Sequence, residues 1–196
     1  MVELQHRKEG VPALQTFLAN NPNAQVADWN SLAFRRIKPL IKAALNQDQQ
    51  DLCAYCERKL AATEGQIDHI KPKAGSHAHP ELCFEYSNFA HSCINPKTCG
   101  QKKKDGLLPI EPGPGCNDKW TLSTDGTIQP IAGLTRAQEH PVKQTRDMLG
   151  LNKDPALVDD RQKWLKSALA VLQESPDDID TFLQGAPFRY ILATVL

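Results

Sequence analysis

Two thiol pairs stand out, Cys53-Ala-Tyr-Cys56 with two intervening residues and Cys93/Cys99 with five. Thiolates supplied two by two suit tetrahedral zinc, and a structural site uses all four positions. One C-x2-C alone is a weak signal; a second pair enclosing a histidine-bearing segment is stronger. Between the pairs lie Asp68-His69, Asn88 and His91. Neighbouring residues on a strand point to opposite faces, so a carboxylate there can hold a hard cation while the imidazole addresses a water. An isolated histidine is more often a surface or satisfied core residue, but this one shares its segment with a carboxylate, an amide, a second imidazole and a lysine run. With an unperturbed pKa of about 6.5 it is largely neutral at pH 7, as a base must be. Lys71, Lys73 and Lys102-Lys103-Lys104 are candidates for contact with phosphate; the bland alternative is a solvated face.

The other cysteines are read differently. Cys83, in Leu82-Cys83-Phe84, reads as a buried thiol acting as a small hydrophobe, and nothing around Cys83 or Cys116 marks an activated nucleophile. Residues 1–8 lack the apolar stretch of a secretory signal, so reduced thiols and a cytoplasmic setting are expected. The 196 residues are 40% hydrophobic and 23% charged, a globular composition and not that of a disordered tail. No apolar run approaches the roughly 18 residues of a membrane span, so no membrane partner is expected. The net charge is 0, from 23 basic and 23 acidic side chains. Residues 1–104 nevertheless carry 14 of the basic and 10 of the acidic groups, so a polyanion partner is not excluded.

Four segments are expected to position these groups: an N-terminal helical part, 1–50; the cysteine-bracketed core, 51–105; a Pro/Gly-rich linker, 106–130; and a C-terminal helical part, 131–196. Pro12 suits the first turn of a helix reaching Leu18. Asp28 can cap a second helix that carries Trp29, Ile37, Ile41 and Leu45 and is kinked by Pro39. Gln66 to Ile70 alternates as a short strand, and residues 71–85, with His77 and His79, read as a surface loop. Asp125-Gly126 suggests a hairpin turn, Pro141 and Gly150 bracket a helix, and Asp154-Pro155 opens a longer one to about Gln173. Ser175 to Asp178 resembles a capping box, and a last amphipathic stretch holds Phe188, Ile191, Leu192 and Val195.

The frame Cys53-Ala-Tyr-Cys56-Glu57, Ile67-Asp68-His69-Ile70-Lys71-Pro72-Lys73, Ser87-Asn88-Phe89 and Cys93 to Cys99-Gly100, closing on Lys102-Lys103, resembles an HNH endonuclease. It is similar in particular to the retron-associated HNH nucleases, including PtuB of Septu-type antiphage systems. Trp29 and the helix to Gln50, then Leu149-Gly150-Leu151-Asn152 with Leu157 and Arg161, extend the likeness over most of the chain. The resemblance implies an α+β, mainly helical fold: a small zinc-stapled ββα-metal core flanked by N- and C-terminal helices. It makes His69 the general base, Asp68 the ligand of a divalent cation, magnesium first, and Asn88 the residue that braces the loop and orients the imidazole. Cys53, Cys56, Cys93 and Cys99 hold zinc, and the lysines at 102–104 contact phosphate. Family members often place His or Asn after the last cysteine; here Gly100-Gln101 stands there. His91, Asn95, Gln101 or water must replace that ligand, with His91 preferred over its alternative as a zinc ligand or bracing group. The implied role is an antiphage effector beside an SMC-like ATPase and a retron, with DNA the favoured substrate by family habit and RNA, tRNA included, the alternative. The alternatives are a non-catalytic zinc module that binds nucleic acid or protein, and a helical scaffold whose zinc merely staples its middle.

Overall fold

The computed structural model describes residues 1–196. Helices α1 (Pro12–Asn20) and α2 (Leu32–Asp48) come first, followed by strand β1 (Gln66–His69), strand β2 (Phe89–Ser92) and the short helix α3 (Cys99–Lys103). A second strand pair, β3 (Trp120–Leu122) and β4 (Ile128–Pro130), precedes α4 (Arg136–Met148), α5 (Pro155–Glu174), α6 (Ile179–Gly185) and α7 (Arg189–Leu192). The protein is thus mixed α and β, mainly helical, with two separate antiparallel hairpins. No helix is long and apolar enough to cross a membrane.

Local chemistry explains most boundaries and corrects some. Ser31, not Asp28, caps α2, its hydroxyl accepting from Phe34 N at 3.2 Å. Asp28 instead folds back on Gln25 N at 2.9 Å and closes a 3-10 turn, Val26–Asn30, so Trp29 precedes α2. Pro39 lies inside α2 without ending it. Thr135 and Gln138 form a reciprocal capping box that starts α4 five residues ahead of Pro141, which the helix absorbs. Asp154 caps α5 through Ala156 N at 3.2 Å. Ser175 makes no side-chain cap; a 3-10 turn, Pro176–Asp178, leads into α6.

Two apolar cores flank the first hairpin. The smaller gathers α1, α2 and the loop before β2: Phe17, Trp29, Phe34, Phe84 and Phe89 interlock with ring centroids about 5 to 6 Å apart. The larger draws on both thiol pairs, the second hairpin and the C-terminal helices. Residues 106–130, for all their prolines and glycines, contribute Trp120, which is fully buried in it. Arg161 ties the second hairpin to α5, donating to Gly126 O at 2.9 Å and Leu151 O at 2.7 Å. Gly150, at φ +62°, lets α4 end against the second thiol pair; a Cβ there would lie 2.2 Å from Lys97 O. Leu149 O then accepts from Cys99 N at 2.8 Å, joining the C-terminal half to α3.

Candidate functional site

β1 and β2 pair in the register Ile67↔His91, Asp68↔Ala90 and His69↔Phe89. Facing residues share a side of the ribbon. Gln66, Asp68, Ala90 and Ser92 therefore turn to α3 and the thiols, while Ile67, His69, Phe89 and His91 turn to α2 and the aromatic core. The end of β2 is held by Gln49, whose side-chain amide donates to His91 O at 2.8 Å and accepts from His91 N at 2.7 Å.

On the first side the sulfurs of Cys53, Cys56, Cys93 and Cys99 lie within 4.8 Å of one another. Cys53 and Cys99 are 3.8 Å apart, Cys56 and Cys93 3.9 Å. Zn–S bonds of about 2.3 Å in a tetrahedron demand sulfurs roughly 3.8 Å apart, so this donor set fits zinc. Burial would raise the Cys53 thiol, but its hydrogen bonds with the other three sulfurs hold it well below the usual range. Cys93 N adds a bond to Cys53 Sγ at 3.3 Å.

Asp68 stands beside this cluster. Its Oδ2 accepts from Tyr55 OH at 2.5 Å and lies 3.3 Å from Lys103 Nζ. Burial pushes the carboxyl up, and Lys103 and Tyr55 offset only part of that. Oδ1 has no protein partner and is not among the enclosed unpartnered atoms, so it reaches solvent. Gly100 opposes it: a Cβ there would come within 3.0 Å of Asp68 Cγ and Oδ1. A cation held by one carboxylate oxygen, waters and substrate phosphate suits magnesium, so Asp68 fits the group without a second protein ligand.

The lysines separate. Lys103 is 5% exposed, and its ammonium also donates to His69 O at 2.9 Å and Lys104 O at 3.2 Å. This corrects the expectation of a phosphate contact: four residues after Cys99, Lys103 shares the inward side of α3 and its donors are spent on the protein. Lys102 and Lys104 are exposed. Lys71 pairs loosely with Glu111 at 3.9 Å, and Lys73 Nζ lies 5.2 Å from the Trp29 ring centre.

On the second side His69 is 5% exposed, its ring centre 4.3 Å from that of Trp29 and 5.3 Å from that of Phe89. Nε2 lies 2.9 Å from Cys83 O. A carbonyl only accepts, so Nε2 carries the proton and Nδ1 the lone pair. Nδ1 has no protein partner and is not an enclosed orphan, so it too opens to solvent. Burial, reinforced by Lys73, Lys103 and Lys38 against the pull of the Cys83 carbonyl, lowers the imidazole to about 4.

Asn88 braces the loop between the strands. Its Oδ1 accepts from Lys71 N at 2.8 Å, and its Nδ2 donates to Lys71 O at 3.0 Å and Leu82 O at 3.2 Å. The latter bond fixes the turn whose next residue, Cys83, holds the imidazole. His91 is a correction. It is fully buried on the side opposite Asp68, with Nε2 on Glu64 O at 2.9 Å and Nδ1 on Asn46 Nδ2 at 3.3 Å. Both nitrogens are used, and no cation can bridge it to Asp68. Asn95 is likewise engaged, donating to Asp154 at 2.9 Å, and Gln101 donates to Gln66 Oε1 at 2.7 Å. His77 is exposed and His79 pairs with Glu81 at 3.1 Å, away from the hairpin.

Sequence reasoning missed Tyr55, Trp29 and the Cys83 carbonyl. Tyr55 lies inside the first thiol knuckle, where its type gave no sign that the ring would reach Asp68. The carbonyl of Cys83 has no side-chain signature at all.

No family model matches the chain. A protein of Vibrio cholerae serotype O1 biovar El Tor, named for an HNH endonuclease of retron Vc95, is 37% identical over 201 aligned positions, covering 98% of each chain.

Proposed function

The chain belongs to the retron-associated HNH endonucleases, enzymes that hydrolyse phosphodiester bonds, and we propose that β1, β2 and α3 form its ββα-metal core with His69 as the general base. The observation that carries this reading is the state of the His69 ring: neutral, fixed in one tautomer by Cys83 O, and open at Nδ1 alone. A proton taken from the attacking water would go to Nδ1, where two contacts, Cys83 O on Nε2 and the Trp29 ring against the imidazole, hold the lone pair in one direction. Asn88 is a positioning residue, acting through the loop that carries Cys83.

Asp68 Oδ1 would hold the divalent cation, magnesium by family likeness, and a bound cation there would neutralise charge on the scissile phosphate and the leaving oxygen. Tyr55 and Lys103 keep Oδ2 occupied, so the carboxylate presents a single oxygen. Zinc at the four cysteines would tie the end of β2 to the start of α3: Cys93 directly follows β2 and Cys99 opens α3. DNA is the favoured substrate, with RNA, tRNA included, as the alternative, because attack by water needs no 2′-hydroxyl. By family likeness the setting is a retron and antiphage defence in the cytoplasm, with an SMC-like ATPase as protein partner.

The test is cleavage of plasmid DNA and of total RNA by the purified protein with magnesium, beside His69→Ala and beside a chelated sample. Loss of cutting by about 100-fold or more in His69→Ala, with zinc content and melting retained, is expected. Equal cutting by both chains would remove His69 from the chemistry. A chain that cuts neither substrate, alone or with an ATPase partner, would favour the non-catalytic zinc module.

A further inference from the structure

α2 turns toward the first hairpin a row of cations that no carboxylate answers. Arg35, Lys38 and Lys42 recur three and four residues apart, which sets them along one side of the helix. With Trp29, Gln66 and Ile67 they line a groove of about 400 Å³ that has no acidic side chain in its wall. At the far end of the same helix the pattern is different, since Asp48 takes Arg7 in an ion pair at 2.8 Å.

The groove ends on Trp29, the ring that stands between it and the candidate base. Trp29, one of its walls, is the residue packed on His69, and Lys38 Nζ lies 4.4 Å from the Trp29 ring centre. Burial first, then repulsion from Lys73 and Arg35, lowers the Lys38 ammonium. Like charges are thus held together by the fold at a cost that a polyanion would relieve. Trp29 is 8% exposed, and its ring is engaged by His69, Phe34 and two ammonium groups, so it has no free face for a base. The chemistry offered is that of backbone phosphates, read without regard to sequence. Lys42 is partly spent, donating to Thr63 O at 2.9 Å, which leaves Arg35 and Lys38 as the principal contacts.

The geometry points to this groove on α2 as the track for the phosphodiester backbone of the substrate, delivering the strand to His69 from the side opposite the lysine run at 102–104. This inference rests on the nuclease reading and adds to it a path and a mode of recognition.

The test uses the full-length chain carrying His69→Ala, so that binding is read without cutting. Fluorescence anisotropy with labelled single-stranded and duplex DNA and single-stranded RNA, over a salt series, compares it with the same chain carrying Arg35→Gln and Lys38→Gln. Lys166→Gln on the exposed side of α5 serves as control. The double variant should bind about tenfold more weakly or worse, and its slope of log affinity against log salt should shrink by about 1.4 to 1.8, the share of two phosphate contacts. Arg35→Lys with Lys38→Arg should restore both. Zinc content and melting temperature establish that each chain is folded. An unchanged slope in the double variant, an equal loss in Lys166→Gln, or no measurable affinity in the parent chain would overturn the track. The two readings fail separately. If the Arg35/Lys38 variant in the otherwise native chain cuts with unchanged KM while His69→Ala is dead, the track is wrong and the nuclease stands. If the native chain binds through Arg35 and Lys38 yet cuts nothing, the track stands as a binding site and the nuclease reading falls.

Discussion

The two sides of the first hairpin solve opposite problems with the same four-residue strands. Toward α3, polar and ionisable groups are crowded together and must be neutralised by one another: four thiols, a carboxylate, a phenol and an ammonium. Toward α2, one imidazole is enclosed by rings and kept uncharged by its surroundings. The difference teaches what alternation along a strand can do. Asp68 and His69 are covalent neighbours, yet one lives among charges and the other among aromatic faces; burial opposes the charged form of each, while Lys103 and Lys73 act on both. The second side contains its own control. His69 and His91 both bond a carbonyl through Nε2, but Asn46 occupies the remaining nitrogen of His91, while that of His69 is left open.

The contrast can be broken most severely at the sulfurs. Stripping zinc with a chelator, or Cys53→Ser, should remove an apparent binding contribution of about 10 to 16 kcal/mol and abolish cooperative melting. Trp29 emission that stayed native under that treatment would show the aromatic side to be independent of the metal side. Next, Lys103→Met should cost about 3 to 5 kcal/mol, because Asp68 would keep its burial and lose its ammonium. In Asp68→Asn/Lys103→Met the loss should be well below the sum of the single changes, as chemical denaturation can measure.

The acid response of the second side is of similar size. Unfolded, His69 titrates near 6.5; folded, it titrates at about 4. Its neutral form therefore favours the fold fully above pH 6.5, and that contribution, about 3 kcal/mol, is lost as pH falls from 6.5 through 4. His69→Gln should flatten this part of the stability curve. The same depression keeps Nδ1 unprotonated at neutral pH, so the acid limb of kcat/KM should lie near 4; a limb near 6.5 would mean that another group supplies the base. The smallest effect is at Gly100. Gly100→Ala should cost about 1 to 3 kcal/mol by overpacking and should weaken magnesium dependence, since its methyl would press on the Asp68 carboxylate and on the Gln66 amide.

What the sequence discloses about this site follows from which interactions are local. The thiol pairs and the Asp68-His69 alternation are legible because ligand spacing and strand period are short-range rules, and Asp125-Gly126 marks its hairpin for the same reason. The four sulfurs do gather into one cluster of a kind that fits zinc, and residues 68 and 69 point to opposite sides. Partnerships across long loops are not written in that way. Tyr55 meets Asp68 and Gln49 meets His91 because separate segments pack, and no periodicity announces it. Other signals were in plain sight but compete. Ser31 caps α2 because Asp28 is already committed to Gln25, and the box Thr135 to Gln138 outranks Pro141 as a helix start. The lysine run reads as uniformly solvated until the register of α3 is fixed by Cys99; its i+4 neighbour must then turn inward.

Gln49 carries a last consequence. An isolated pair of short strands leaves an outer rim of unsatisfied amides, which is where a foreign chain could add itself. One glutamine side chain occupies both groups of His91 as an extra strand would. Ala54 N adds a bond to the same His91 carbonyl at 3.0 Å and the rim is fully buried, so Gln49→Ala would leave the His91 amide a buried donor without a partner, at a cost of about 1 to 3 kcal/mol.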